Sequence, residues 1–181
     1  MIRLRAATAA DAAALARLHA QSWRSAYRGM LGDAYLDGDV QGERAAFWQR
    51  ALASPPANQH VIVAQDGGDL VGFVSLYGDD HDTWGTRIEA VHVAPGRKRQ
   101  GLGARLMAEA AAWCEAAYPA SGIYLHVLQP NGPAQRFYER LGGRNAESGV
   151  WKALDGGEVP EFRFVWASPQ ALRHGASRES C

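Results

Sequence analysis

"VAPGRKRQGLGARLM", residues Val93 to Met107, raises the question of what this chain binds. An apolar strand end passes through Pro95 into Arg97, Lys98 and Arg99, and then Gly101 and Gly103 open a helical pattern. The first N–H groups of a helix have no intrahelical acceptor, and the helix dipole makes that end attractive to anions. Glycine has no Cβ, so an anion can approach the backbone closely. Such a turn suits a phosphate or pyrophosphate. The plainer alternative is a solvated basic turn ahead of an ordinary helix. Two familiar phosphate loops do not fit. A Walker loop ends in Gly-Lys-Ser/Thr, which is missing here. A dinucleotide fingerprint needs Gly or Ala at Leu106 and an acid closing the next strand. That strand reads "GIYLHVLQPN" and carries no acid.

Working outward, "IRLR" alternates as a short first strand does. Thr8 and Asp11 resemble a helix start, with Asp where a capping box usually has Glu or Gln. Leu15, Leu18 and Trp23 then suit an amphipathic helix ending near "YRGMLGD". A second helix is expected from Gln41 to Leu52, with Phe47, Ala51 and Leu52 inward, stopped by Ser54-Pro55-Pro56. "HVIVAQDGGDLVGFVSLY" reads as a hairpin and "TRIEAVHVA" as a third β-rich run. From Leu102 to Tyr118, the spacing of Leu106, Ala110, Trp113 and Ala117 marks one helical face. "IYLHVL" is a strand, "GPAQRFYERLGG" a short helix with Gly after its end, and "EFRFVW" a final strand. "YGDDHDTWGT" and "SGVWKALDGGEVPE" read as loops, and the polar tail from Ser168 is expected to fray. Strands interleaved with helices predict a mixed α/β domain. The hairpin argues against an all-parallel doubly wound sheet and favours one mixed sheet with helices on both faces.

Composition narrows the function classes. The 181 residues suffice for one domain with a substantial core. Lys plus Arg and Asp plus Glu both total 19, which speaks against nucleic acid as a partner. Any positive field is therefore local. No apolar run approaches the ~20 residues of a membrane span, and the N-terminus lacks the apolar core of a cleaved signal. Cys114 falls mid-helix and Cys181 is the last residue, a poor basis for a disulfide. Neither these cysteines nor the 6 His residues show metal-ligand spacing, so no metal is expected. A cytoplasmic protein follows as the expectation.

"VHVAPGRKRQGLGARLM" resembles the pyrophosphate loop of the GNAT N-acetyltransferase superfamily, Q/R-x-x-G-x-G/A, here Lys98-Arg99-Gln100-Gly101-Leu102-Gly103. Lys98 stands where Gln or Arg is usual. Downstream, "NGPAQRFYERLGG" resembles the family's N-x-x-A-x-x-F-Y-x-x-x-G-F at Asn131, Ala134, Phe137, Tyr138 and Gly142, with Gly143 in place of Phe. The resemblance covers residues 1 to 167, most strongly 88 to 142, which makes 1–167 the domain and 168–181 a polar tail. It implies a mostly antiparallel mixed sheet with a splayed parallel strand pair and helices on both faces. It also implies acetyl-CoA as cofactor, no metal, and an amine acceptor on a small molecule or peptide; a homodimer is compatible with it. Cofactor contacts are then expected at Val91, His92 and Val93, along Lys98 to Ala104, and at Asn131, Ala134 and Phe137. Ala104 closes the loop segment. Asn131 can cap the following helix as well. Backbone N–H groups of the strand bearing Val91 and Val93 would polarise the acetyl carbonyl.

Acetyl transfer to an amine needs a neutral amine and a protonated leaving thiol. An alkyl ammonium, with a pKa near ~10.4, is mostly unreactive at neutral pH. Glu89, the one acid in the apolar run before the loop, is the leading general base; the competing reading is a solvent-facing residue. His126, on the partner strand and off the Ile123–Leu125–Val127 face, competes as a base or acceptor contact, as does bulk water. Tyr138 is the general acid, its phenol neutral at pH 7, unless it only packs the helix as Phe137 does. Trp23 and Tyr27, four apart on one helix face, would line the acceptor pocket or simply join the core. The rival function is an acyl-CoA-binding regulatory module without turnover.

Overall fold

The computed structural model describes residues 1–179. In chain order it has β1 (Ile2–Ala6), a 3-10 turn (Ala9–Asp11), α1 (Ala12–Ala26), α2 (Asp33–Leu36) and α3 (Val40–Ala53). Then come β2 (Gln59–Asp66), β3 (Asp69–His81), β4 (Gly85–Val93), α4 (Leu102–Ala117) and β5 (Ile123–Leu128). α5 (Gly132–Arg140), β6 (Arg144–Lys152), β7 (Glu158–Trp166) and α6 (Pro169–Glu179) complete it.

The Thr8–Asp11 signal is a capping box built with Asp. The Asp11 carboxylate accepts from the Thr8 N–H at 2.8 Å and from the two terminal guanidinium nitrogens of Arg5 at 2.8 Å. That pairing ties β1 to the start of α1, and the Arg5 hydrogen bonds draw the buried Asp11 carboxyl down to about 2.

The sheet has the order β1-β2-β3-β4-β5-β7-β6. Every neighbouring pair is antiparallel except β4–β5. That parallel pair meets at two positions, Thr86 with Ile123 and Arg87 with Tyr124, and then the strands part. The splayed mixed sheet implied by the sequence is the one observed. α1 and α3 cover one face, with Leu15, Leu18, Trp48, Val63 and Phe73 in their core. α4, α5 and α6 close the other around Leu106, Met107, Leu125, Tyr138, Phe164 and Leu172. A third cluster joins α1 and α2 to the ends of β5 and β7 through Trp23, Leu36, Leu128 and Val159.

Several local expectations shift. In α3 the buried side chains are Val40 and Trp48, while Phe47, Ala51 and Leu52 are half-buried. In α4 the inward stripe is Leu102, Leu106, Met107, Ala110, Ala111 and Cys114; Trp113 is half-buried and Ala117 exposed. The stripe is rotated because α6 packs on α4 and covers its small residues. The two expected loops are hairpins. β3 runs on to His81 and meets Gly85, and "SGVWKALDGGEVPE" holds the end of β6, the turn at 153–157 and the start of β7.

The tail expected to fray is helix α6 over Pro169–Glu179, with Leu172 and Ala176 fully buried. Gly175 explains how it docks: a Cβ there would lie 2.0 Å from the Leu141 carbonyl oxygen. Ser180 and Cys181 lie outside the described residues. Also among the described residues, no helix is long and apolar enough to cross a membrane.

Candidate active site

Where β4 leaves β5, a cavity of about 940 Å³ opens between them. β4 stays paired to β3 through Val93, so its other edge, from Ile88 onward, faces the gap without a strand partner. Unpaired strand N–H groups seek acceptors, which makes this edge a template for an extended ligand.

Glu89 sits at a bulge. Ser75 opposes Ala90 while Leu76 opposes Ile88, so Glu89 is the extra residue of β4. A bulge re-aims side chains. Here Ile88, Val91 and Val93 join the α4-side core, Ala90 joins the α1 side, and Glu89 faces the cavity. Its side chain is 38% exposed, into cavity space, and it pairs with Arg87. Arg87 is held on its other side by Asp80 at 2.6 Å. The protein mass around the cavity desolvates the Glu89 carboxylate, and this outweighs the pull of Arg87. Its pKa is therefore raised.

Tyr138 reaches the same cavity from α5. It is buried, and among the described residues its hydroxyl has no hydrogen-bond partner. Burial, and then the neighbouring Tyr27, push its pKa up, so the phenol keeps its proton at any ordinary pH. Trp23 and Tyr27 line the cavity with their rings 5.6 Å apart, edge to face. His126 is on the wall too, but its Nε2 accepts from Arg163 Nε at 3.3 Å. Burial, then the charges of Arg163 and Arg87, lower its pKa. An imidazole whose lone pair is already engaged is a poor base.

At the cationic end, Arg97 belongs to the scaffold, bound to Asp66 at 2.6 Å. Lys98 and Arg99 are exposed on the cavity rim and have no ion pair among the described residues. Arg99 and Gly101 both have positive φ, 61° and 73°, so the backbone coils tightly just before α4. Gly101 occupies the left-handed cap position that glycine adopts without strain. A Cβ on Gly103 would stand 3.2 Å from Phe137 Cζ, so its bareness seats the Phe137 ring against the helix start. Gly103, Ala104, Ala134 and Phe137 line the cavity. Asn131 lines it while capping α5, its Oδ1 accepting from the Ala134 N–H at 3.3 Å. Two loop positions turn away from the cavity. Leu102 is in the core, and the Gln100 amide donates back to the Gly96 carbonyl at 3.4 Å.

His92 points from β4 to the α1 side, its Nδ1 2.7 Å from Ser22 Oγ and its ring 4.8 Å from that of His19. Burial drives both imidazoles toward the neutral form, His92 to about 3. His19 accepts from Trp48 Nε1 at 3.2 Å. His19, Ser22, Arg44, Phe47 and Trp48 are cavity residues that the sequence reading missed. Their three- and four-residue spacings on α1 and α3 were the available signal. Arg87 and Glu161, also on the wall, come together only through tertiary structure.

The Gly143 departure has a physical cause. A Cβ there would lie 2.6 Å from Trp166 Cζ2 and 2.9 Å from the Tyr138 carbonyl oxygen, so the indole and the end of α5 leave no room for a side chain. Trp166 is fixed by donating from Nε1 to the Leu141 carbonyl at 2.9 Å.

The family model of the acetyltransferase (GNAT) family matches residues 15–143. A Mycobacterium tuberculosis protein named "Probable N-acetyltransferase" is 28% identical over 93% of this chain and 96% of its own. The streptothricin acetyltransferase of Streptomyces lavendulae is 34% identical over 59% of this chain and 52% of its own. The PaiA N-acetyltransferase of Thermoplasma acidophilum, solved in complex with coenzyme A, superimposes with a TM-score of 0.68 at 16% identity. That overlap spans 89% of this chain and 98% of the other. With more than half the chain matched by the family model, and the splayed sheet and glycine turn in place, the chain belongs to the GNAT acetyltransferase family.

Proposed function

We infer that the protein is an acetyl-CoA-dependent N-acetyltransferase acting by direct attack of a primary amine on a small molecule or peptide. The observation that carries this is the coincidence of three features on one cavity: an unpaired β4 edge, a glycine turn at one end, and Glu89 with Tyr138 along it. Bound acetyl-CoA supplies an activated acetyl group as a thioester. The loop N–H groups around Gly101 and Gly103, with Lys98 and Arg99 at the rim, hold the pyrophosphate. The free edge of β4 orients the pantetheine arm and presents N–H groups to the acetyl oxygen. Glu89 takes the proton that makes the amine nucleophilic, its raised pKa making it a better base near neutrality. Tyr138 Oη holds a proton for the departing sulfur. Trp23 and Tyr27 shape the acceptor end.

Two measurements test this. Acetyl-CoA at a hundredfold excess over its Kd should stabilise the fold by about 2.7 kcal/mol, or about 5–10 °C for a chain of this size. Gly103→Val should remove the shift by driving Phe137 into the cavity; an undiminished shift would place the cofactor elsewhere. Amine-dependent thiol release should then accompany binding. Binding without release under any amine would favour the silent regulatory module.

A further inference from the structure

Arg44 stands apart from the other cations of the cavity wall. Arg87, Arg97 and Arg140 each have a carboxylate partner, and Lys98 and Arg99 are exposed to water. Half-buried Arg44 has no carboxylate partner among the described residues. Its Nε is closed off from water and has no hydrogen-bond acceptor. The guanidinium lies over the Trp23 ring at 4.7 Å and the Phe47 ring at 5.3 Å. Aromatic faces attract a cation without neutralising it. A guanidinium on a ligand cavity that has no ion pair among the described residues, and whose Nε is closed off from water without an acceptor, is open to an anionic ligand.

The chemistry of that anion follows from the donor. A planar guanidinium fork matches a carboxylate with two parallel N–H···O bonds. An anion moving along the cavity wall would turn the fork toward itself and satisfy the orphaned Nε. The charge of Arg44 reaches Glu89 and His19, so cation and base serve the same end of the cavity. A cation and a carboxylate base on the wall of one cavity describe a ligand that carries both an acid and an amine.

We propose that the acceptor is an amino-carboxylate, an amino acid or close analogue, whose carboxylate Arg44 receives while its amine lies at Glu89. The amine end rests on the acetyltransferase reading above; the carboxylate end rests on Arg44 alone. The rival role for Arg44 is a purely structural stack on Trp23 and Phe47. That role gives no discrimination between an acid and its amide.

Calorimetry separates the two. The protein amino acids, β-alanine and γ-aminobutyrate, each paired with its carboxamide, are titrated into the wild type with and without coenzyme A. The best acid should bind on the order of 10²-fold more tightly than its amide. In Arg44→Gln that ratio should fall to near unity, and Arg44→Lys should retain part of it. If Arg44→Gln fails to fold, the wild-type ratio and Arg44→Lys decide. Equal affinity in every pair, no binding by any member, or full preference surviving in Arg44→Gln would overturn the proposal. Thiol release is read in parallel. Equal release with acids and amides would remove the carboxylate and leave acetyl transfer standing. Carboxylate-dependent binding with no release would do the reverse.

Discussion

Glu89→Gln isolates the base. Gln keeps the size and hydrogen bonding of the residue at the bulge, and Arg87 keeps its second anchor at Asp80, 2.6 Å away, so the wall should hold its shape. What disappears is basicity. For an alkyl amine of pKa ~10.4, about one molecule in 2,500 is neutral at pH 7. Without Glu89 the reaction depends on that fraction, so kcat/KM should fall by about 10²–10⁴-fold at pH 7. It should then climb tenfold per pH unit and come within about tenfold of the wild type near pH 9.5. The wild type has the opposite limit. Its base must be unprotonated, and because burial raises the Glu89 pKa above the ordinary 4.5, its acid limb should lie above that value. The assay is thiol release from acetyl-CoA across pH 5–10 at subsaturating amine. Parallel profiles for the variant and the wild type would refute the assignment. His126→Ala provides the control, because its Nε2 is already occupied by Arg163 and its loss should leave the profile unchanged. A lost limb in that variant instead would move the base to β5.

Three further outcomes follow from the geometry. Tyr138→Phe should lower turnover on the order of 10²-fold while leaving the acetyl-CoA thermal shift and the unliganded Tm unchanged, since the hydroxyl has no partner among the described residues; thiol-release kinetics and melting together check it. Asp11→Asn should cost about 2 kcal/mol at pH 7, the stability linked to a carboxyl lowered from 3.8 to about 2. That contribution is complete above pH 3.8 and fades as pH falls through about 2, so the gap in Tm between variant and wild type should close in acid. Gly175→Ala should destabilise by about 1–3 kcal/mol or more, because its Cβ meets the Leu141 carbonyl at 2.0 Å and backbone gives way poorly. A wild-type denaturation midpoint would mean that α6 does not dock as described.

The parts legible in the sequence are those where a local pattern reports a local fact. The turn at Gly101 needs a left-handed residue, and two β-rich runs either side of Asp66-Gly67-Gly68-Asp69 report a hairpin whose middle is buried on both faces. β6 escaped because it is an edge strand with most of its side chains in solvent, so its residues need no alternation. α6 escaped because it buries Leu172, Ala176 and a glycine, too little apolar area to mark a face. At the site, Glu89 was legible as an acid among apolar neighbours, but the bulge that aims it depends on β3. Arg44 was invisible for a related reason: only the fold shows which arginine lacks a partner.

The junction at Thr86 and Arg87 bears on which substitutions this enzyme can tolerate. Two rungs join the β1–β4 and β5–β7 parts of the sheet, and away from them the parts are linked through α4, which packs on β2, β3 and β4, and α6, which packs on α4 and β7. The angle between the parts sets the width of the gap, so the gap is tuned from the far side of the molecule. Leu172, Trp166 and the glycines at 85, 122 and 175 touch no reacting group, yet each sits where the two parts are clasped. Drift at such positions would change the fit of the cofactor before it changed any side chain that meets it.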